Sequence, residues 1–266
     1  MMAAMTSTDS TNPAEESAQQ TDRGDSLDGT HLVDLADLAE RSALEAATLL
    51  RQGLQRERIA VDTKSTGTDM VTEMDRGAER LIVDSLLGGR PDDGVLGEEG
   101  ADRAGTSGVR WVIDPLDGTT NYLYRHPGFA VSIAAEHDSR AVAGVVVDVP
   151  TGDVFRAIRG GGATRNGEPI TVSDETDLAQ ALIATGFSYR PDQRRHQGAV
   201  LAAILDQIRD IRRMGSAALD LCSVACGRVD AYYELSLGPW DFAAGALIAA
   251  EAGAEVIDLR GLYPTT

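Results

Sequence analysis

Apolar positions along the chain change their period several times, and each change marks an element. Leu32, Leu35, Leu38, Ala39, Ala46 and Leu49 recur at helical spacing up to the Gln52-Gly53 break, which predicts one long amphipathic helix. A second helix carries Ala78, Leu81, Ile82 and Leu86 on one face, and Thr72 with Asp75 fits a capping box at its start. Residues 109–113 read as a buried strand, and the pair Val95-Leu96 as the end of another. Beyond Asn121 the pattern turns to period-two alternation and short apolar runs at 129–135, 141–149 and 154–158, which are sheet signals.

Asn166-Gly167 marks a hairpin turn, after which strand and helix alternate. Strands are expected at 182–185, 211–214, 231–235 and 254–257, with helices near 199–209, 217–225 and 242–252. The result is a mixed α/β design with no internal repeat. Residues 1–29 are rich in Ser, Thr, Asp, Glu and Gln and have hardly a large apolar side chain, so they are expected to form a disordered tail, with the fold starting near Thr30. Two halves follow, an α+β half over 30–165 and an α/β half over 166–266.

Composition narrows the class. A chain of 266 residues with 42% hydrophobic content can bury a substantial core in one or two closely packed domains. Its net charge of −18 argues against a nucleic-acid partner. Cys222 and Cys226, four apart on an apolar helical pattern, suit two buried thiols rather than a disulfide or metal site. Neither a secretion signal nor an apolar stretch near twenty residues is present, so no membrane association is expected and the cytoplasm is the expected compartment.

The chemistry is concentrated in acidic motifs. Asp114-Pro115-Leu116-Asp117-Gly118-Thr119-Thr120-Asn121 sets two carboxylates three residues apart where a strand ends, because Pro115 forbids its simple continuation. Gly118 lets a backbone approach an anion closely. Asp-Pro and Asp-Gly are also ordinary turn dipeptides, so this stretch alone leaves both readings open. Gly97-Glu98-Glu99-Gly100 follows Val95-Leu96, and an acidic surface loop would look the same. Asp75 is explained equally by capping, and Asp241, in Pro239-Trp240-Asp241, by a carboxylate at a helix start. Several carboxylates and a carbonyl, with no clustered His or Cys, make an all-oxygen site that favours Mg²⁺ over zinc.

Taken in order, Lys64, Asp69 and Asp75, Gly97-Glu98-Glu99, the octapeptide 114–121, 214–220, 229–234 and Pro239-Trp240-Asp241 resemble the inositol monophosphatase family, in its bacterial, actinobacterial branch, over about 31–259. The octapeptide is the most specific of these. The resemblance implies a layered αβαβα sandwich of the inositol monophosphatase and fructose-1,6-bisphosphatase type, with the site between the two halves. It implies two to three Mg²⁺ ions: Glu98, Asp114 and the carbonyl of Leu116 for the first, Asp114, Asp117 and Asp241 for the second, and Asp75 with Glu98 for a weaker third. Glu98 and Thr119 would orient and deprotonate the attacking water, with Asp75 beside them. Phosphate is expected against the amides of Gly118 and Thr119. The alcohol would be met by Asp117, Ala217, Glu234 and Asp241.

The activity so implied is Mg²⁺-dependent hydrolysis of inositol monophosphates to inositol and phosphate, inhibited by lithium, in a dimer. Fructose 1,6-bisphosphate or histidinol phosphate as substrate, or a regulatory binding protein on the same scaffold, are the alternatives. Family members usually continue through another strand and helix after the region near Val256, so the C-terminus reads as shortened and its sheet as uncovered.

Lys64 is the only lysine among 24 basic residues, and it falls where the family has a lysine near the metals. A compact ammonium there would order the loop before Asp69 and temper repulsion between acids, which a planar guanidinium does not do in the same way. Lys64→Arg is therefore expected to weaken Mg²⁺ affinity and slow turnover in a metal titration followed by phosphate release; full retention of both would remove this role.

Overall fold

A computed structural model describes residues 29–55, 61–63 and 70–265. The expected tail therefore lies outside the described residues except for Gly29, which opens α1 (Gly29–Gly53). The stripe Leu35, Leu38, Ala39, Ala43, Ala46 and Leu50 of α1 is buried against Ala78, Ile82 and Leu86 of α2 (Glu73–Gly89). Ser42, buried in that seam, donates to Leu38 O at 2.9 Å and shares a 2.8 Å hydrogen bond with the Ser85 hydroxyl, so its oxygen enters the interface satisfied. Between the helices, β1 (Val61–Thr63) and β2 (Met70–Thr72) pair antiparallel.

The main sheet has eight strands: β3 (Gly94–Gly97), β4 (Asp102–Arg103), β5 (Val109–Asp117), β6 (Ala130–His137), β7 (Arg140–Asp148), β8 (Val154–Ile158), β9 (Gly162–Arg165) and β10 (Glu168–Pro169). Its order is β10-β9-β8-β7-β6-β5-β3-β4, antiparallel except for the β3–β5 pair. Its central strands are apolar on both sides because helices cover both faces. Trp111, Ile113, Val131, Ile133, Val145 and Val147 turn toward α1 and α2. Val112, Ala130, Ala134 and Val146 turn toward α5 (Ala217–Ala225) and α6 (Pro239–Glu251). Helix α6 comes so close that a Cβ on Gly144 of β7 would lie 3.1 Å from Ala244 O.

On the far side of α5 lies a parallel three-stranded sheet, β12-β11-β13, from β11 (Leu182–Thr185), β12 (Asp210–Arg212) and β13 (Ala231–Tyr233). Ala184 of β11 packs with Val224 and Val229 on the α5 side, and its neighbour Ile183 packs with Ala181 and Ile208 on the other. Helix α4 (Pro191–Ile204) and the segment after it supply the outer layer. The layers are α, β, α, β, α, as expected.

Four expectations are corrected. The strand at 109–113 continues to Asp117 through an irregularity between Asp114 and Asp117, where Pro115 needs no ladder donor. The helix expected at 199–209 runs instead over Pro191–Ile204; Pro191 at its first position presets φ, and its polar first turns escape an apolar periodicity. No strand forms at 254–257: Ala254 and Val256 rest on the edge of the α5/α6 core, and a turn closed by Asp258 N to Leu262 O follows. Cys226 is half-buried rather than buried, beside a buried Cys222. The hairpin at Asn166-Gly167 forms as expected, with φ of 53° and 82° joining β9 to β10.

One polar hub secures the sheet's edge. Asp93, 1% exposed, accepts from Trp111 Nε1 at 2.9 Å, Ser107 Oγ at 2.6 Å and Arg90 Nε at 2.5 Å. Asp93→Ala would leave the buried indole N–H unpartnered, so a loss of about 3 kcal/mol in urea denaturation is expected, against about 1 kcal/mol for Ser107→Ala.

Candidate active site

Three carboxylates meet where the layers converge. Ligand oxygens of Asp114, Asp117 and Asp241 all lie within 4.8 Å of one another. Each is placed by a different local device. Asp114 leaves β5 at the irregularity and accepts from the amide of Leu116 at 3.0 Å, which fixes the turn around Pro115. Asp117 re-enters the ladder opposite Ala130, and its Oδ2 reaches across to the start of α5, accepting from Ser216 Oγ at 2.6 Å and Ala218 N at 2.8 Å. Asp241, in the first turn of α6, accepts from Gly238 N at 2.6 Å in a capping arrangement. Capping and clustering are thus the same geometry.

Glu98 is brought within electrostatic reach of all three, and Asp75 within reach of Asp114. The backbone of Glu98 is pinned to β5 through a 3.1 Å bond from its N to Ile113 O. Glu79 holds the rest of that turn, accepting from Glu99 N at 2.9 Å and Ala101 N at 3.1 Å, and a Cβ on Gly97 would collide with its carboxylate. The Thr119 hydroxyl donates to Leu116 O at 3.1 Å. Gly118, with φ of 93°, leads into α3 (Thr119–Tyr124), and a Cβ there would sit 2.7 Å from Gly128 O. Asn121 Nδ2 ties α3 to Gly128 O at 2.6 Å and Met214 O at 2.8 Å, and Tyr122 Oη donates to Leu50 O at 3.0 Å at the end of α1.

Glu234 follows β13 and accepts from Tyr232 Oη at 2.7 Å. Its carboxylate lies against Gly186, where any Cβ would clash. Ala217 is buried at the first position of α5. Lys64 lies outside the described residues.

Electrostatics set the character of the site. Burial, then the charges of Glu98, Asp117, Asp241 and Asp75, push the Asp114 carboxyl well above the ordinary carboxylate range. Burial raises Asp117 to about 7, although Ser216 and Ala218 pull the other way. Burial and the charges of Asp117 and Glu98 raise Asp241 to about 8. Asp220, one turn into α5, is 2% exposed and is pushed to about 8 by burial and by Asp117 and Glu234. Crowded, desolvated carboxylates with no imidazole or thiol among them fit a hard divalent cation, which would remove the repulsion at once.

The sequence reading missed Glu79, Ser216, Asp220 and Tyr232. Glu79 stands four residues after Asp75 on one helical face, and Ser216 opens a helix as a typical N-cap, so both carried a signal. Asp220 and Tyr232 stood inside the motifs 214–220 and 229–234 but with no role of their own, since only the packing of α5 on the small sheet brings them here.

Residues 31–265 match the inositol monophosphatase family. The chain is similar to the inositol-1-monophosphatase of Mycobacterium leprae, 50% identical over 204 residues that cover 73% of this chain and 70% of that protein. It is also similar to a Vibrio cholerae protein named Nus factor SuhB, 41% identical over 231 residues, covering 85% and 86% of the two chains. Among solved structures, the Thermotoga maritima IMPase aligns with a TM-score of 0.80 at 34% identity, over 87% of this chain and 88% of that one.

The raised carboxyls have a thermodynamic consequence. A group whose folded-state pKa stands at about 8 rather than 3.8 keeps its proton after the unfolded chain has lost it, so its contribution to stability is lost as pH rises from about 4 through about 8. Melting in EDTA is expected at a lower temperature at pH 8 than at pH 5, and Mg²⁺ is expected to raise it most at pH 8. A metal-free melting temperature independent of pH across that window would contradict the crowding.

Proposed function

The chain belongs to the inositol monophosphatase family, as its acidic motifs implied, and on that premise we propose that it hydrolyses inositol monophosphates to inositol and phosphate with Mg²⁺ at the carboxylate cluster. It is a phosphoric monoester hydrolase. The observation that carries the reading is the convergence of Asp114, Asp117 and Asp241 within 4.8 Å inside a desolvated site.

In this reading Glu98, Asp114, the Leu116 carbonyl, Asp117 and Asp241 would hold two ions, and Asp75 with Glu98 a third. Bound Mg²⁺ supplies neutralisation of the acids and of the charge that builds on the phosphoryl oxygens. The residues do the rest. Thr119, with its proton committed to Leu116 O, offers its oxygen to an attacking water, and Glu98 accepts the proton that water loses. Amides of Gly118 and Thr119 meet the phosphate. Ala217 and Asp117 border the alcohol, and Glu234 accepts from its vicinal hydroxyls, which distinguishes a polyol from a plain ester. Tyr232, donating to Glu234 at 2.7 Å, holds that carboxylate in place. Lithium inhibition, a homodimer and a cytoplasmic setting belong to the same proposal; among the described residues no helix is long and apolar enough to cross a membrane.

Likeness to a protein named Nus factor supports a second reading, in which the scaffold also serves as a binding or regulatory protein. Phosphate release across inositol 1-phosphate, fructose 1,6-bisphosphate and histidinol phosphate, with and without Mg²⁺, separates these possibilities. Inositol 1-phosphate is expected to turn over fastest, only with Mg²⁺, and more slowly with added Li⁺. Asp114→Asn is expected to lower kcat by on the order of 10³-fold, because it would take a charge from the centre of the set that would hold the metal. Absence of release from every ester, with an intact cellular role for Asp114→Asn, would favour the binding protein. Glu234→Gln is expected to raise KM for inositol 1-phosphate while leaving a simple alkyl phosphate unchanged.

A further inference from the structure

Glu79 is a buried carboxylate that belongs neither to the metal ligands nor to the alcohol contacts of the proposed function. It is 7% exposed and stands four residues after Asp75 on one face of α2, so the two acids occupy successive turns of the same helix. Both of its oxygens are engaged. Oε2 accepts from Glu99 N at 2.9 Å and Oε1 from Ala101 N at 3.1 Å, two amides of the turn that carries Glu98. That turn is closed on itself by Gly97 N donating to Ala101 O at 2.6 Å, and it runs so close to α2 that a Cβ on Gly97 would collide with Glu79 Oε2.

Glu98 therefore hangs between two fastenings. Its own amide donates to Ile113 O at 3.1 Å, on β5 one residue before Asp114, and the next amide along the chain goes to Glu79. The first fastening ties Glu98 to the strand that carries Asp114 and Asp117, and the second ties it to the helix that carries Asp75. With the first alone, the turn is free to swing about Ile113 O and to take the Glu98 carboxylate with it. Two N–H donors call for two acceptor oxygens on one side chain, which a carboxylate supplies and a carboxamide does not. The arrangement opposes folding: burial, and the charges of Glu99 and Glu98, push the Glu79 carboxyl upward although the two amides pull it down. An apolar side chain at this position would avoid the charge but leave both amides of the turn without their acceptor.

We propose that Glu79 is a positioning residue for the metal site: through the amides of Glu99 and Ala101 it fixes the Glu98 carboxylate relative to Asp75 and Asp114, and so sets the affinity for Mg²⁺ without being a ligand itself. This rests on the reading of Glu98 as a metal ligand. Glu79 acts by geometry and not by its charge, because its oxygens are committed to backbone donors. Helix α2 then governs the metal site twice, carrying Asp75 in its first turn and holding Glu98 from its second.

Two measurements on the full chain test this: calorimetry of Mg²⁺ binding without substrate, and phosphate release from inositol 1-phosphate as Mg²⁺ is varied. Glu79→Gln leaves one acceptor for two donors, and Glu79→Asp keeps the charge but ends one methylene short. Ser42→Ala loosens the α1/α2 seam at Ser85 without touching the turn, and so reports what destabilisation alone does. Both Glu79 variants are expected to bind Mg²⁺ about tenfold more weakly and to need about tenfold more of it for half-maximal phosphate release, with KM for inositol 1-phosphate in saturating Mg²⁺ within about twofold of wild type. Ser42→Ala is expected to melt at a lower temperature in EDTA yet to bind Mg²⁺ as the wild type does. If Glu79→Gln does not fold, Glu79→Asp decides. Wild-type Mg²⁺ affinity in Glu79→Asp would overturn the proposal, since charge would then suffice, and equal weakening in Ser42→Ala would reduce Glu79 to a purely structural residue. A chain whose Mg²⁺ affinity depends on Glu79 but which releases no phosphate from any inositol ester upholds the positioning role and sinks the proposed activity; phosphate release by the wild type, with Mg²⁺ affinity unchanged in both Glu79 variants, does the reverse.

Discussion

Mutual repulsion among buried carboxylates is the constraint around which this protein is built. Asp114, Asp117 and Asp241 lie within 4.8 Å of one another, with Glu98 and Asp75 close by, and desolvation makes each charge dearer than it would be in water. Such a cluster does not assemble on its own account. It is held because every member is fastened by backbone donors that belong to the fold: the Leu116 amide for Asp114, the Ala218 amide for Asp117 and the Gly238 amide for Asp241. The core organises the acids, and a hard divalent cation relieves what the core imposes.

Those fastenings come from different layers, which explains why the layers must pack tightly. The β5 irregularity belongs to the main sheet, while α5 and α6 begin at the site and then run under that sheet, burying Ala218, Leu219, Ala244 and Leu247 against Val112 and Val146. Close approach depends on small residues, as at Gly144 beneath Ala244. The geometry of the acidic cluster and the packing of the core are therefore one problem here: displacing α6 would move Asp241, and displacing α5 would release Asp117. Glu79 shows the same economy, since one buried carboxylate shapes the Gly-Glu-Glu turn through two backbone amides.

A second group of polar side chains is organised separately. Glu234 and Tyr232 hang from the small parallel sheet, whereas Asp114 and Asp117 stand on the main sheet and Asp241 in the first turn of α6. The acidic cluster and the Glu234–Tyr232 pair are thus carried by different sheets, so under the proposed function the phosphate chemistry and the choice of alcohol could vary independently.

The primary structure determined the elements and most of the acids. Both faces of the central strands are covered by helices, so their apolar runs were legible, and Asp114, Asp117 and Asp241 stood at turns and helix starts where local rules place carboxylates. Local rules also explained those residues without any chemistry, so sequence patterns alone left capping and ligation undivided. Tertiary structure decided what depends on partners far away in the chain: that β5 resumes after Pro115, because Asp117 finds Ala130; that 254–257 forms no strand, because it pairs with none; and that α4 begins in polar turns no apolar period reveals. It alone brought Ser216, Glu79, Asp220 and Tyr232 to the acids, since a side chain's neighbours across layers are fixed by packing and not by spacing.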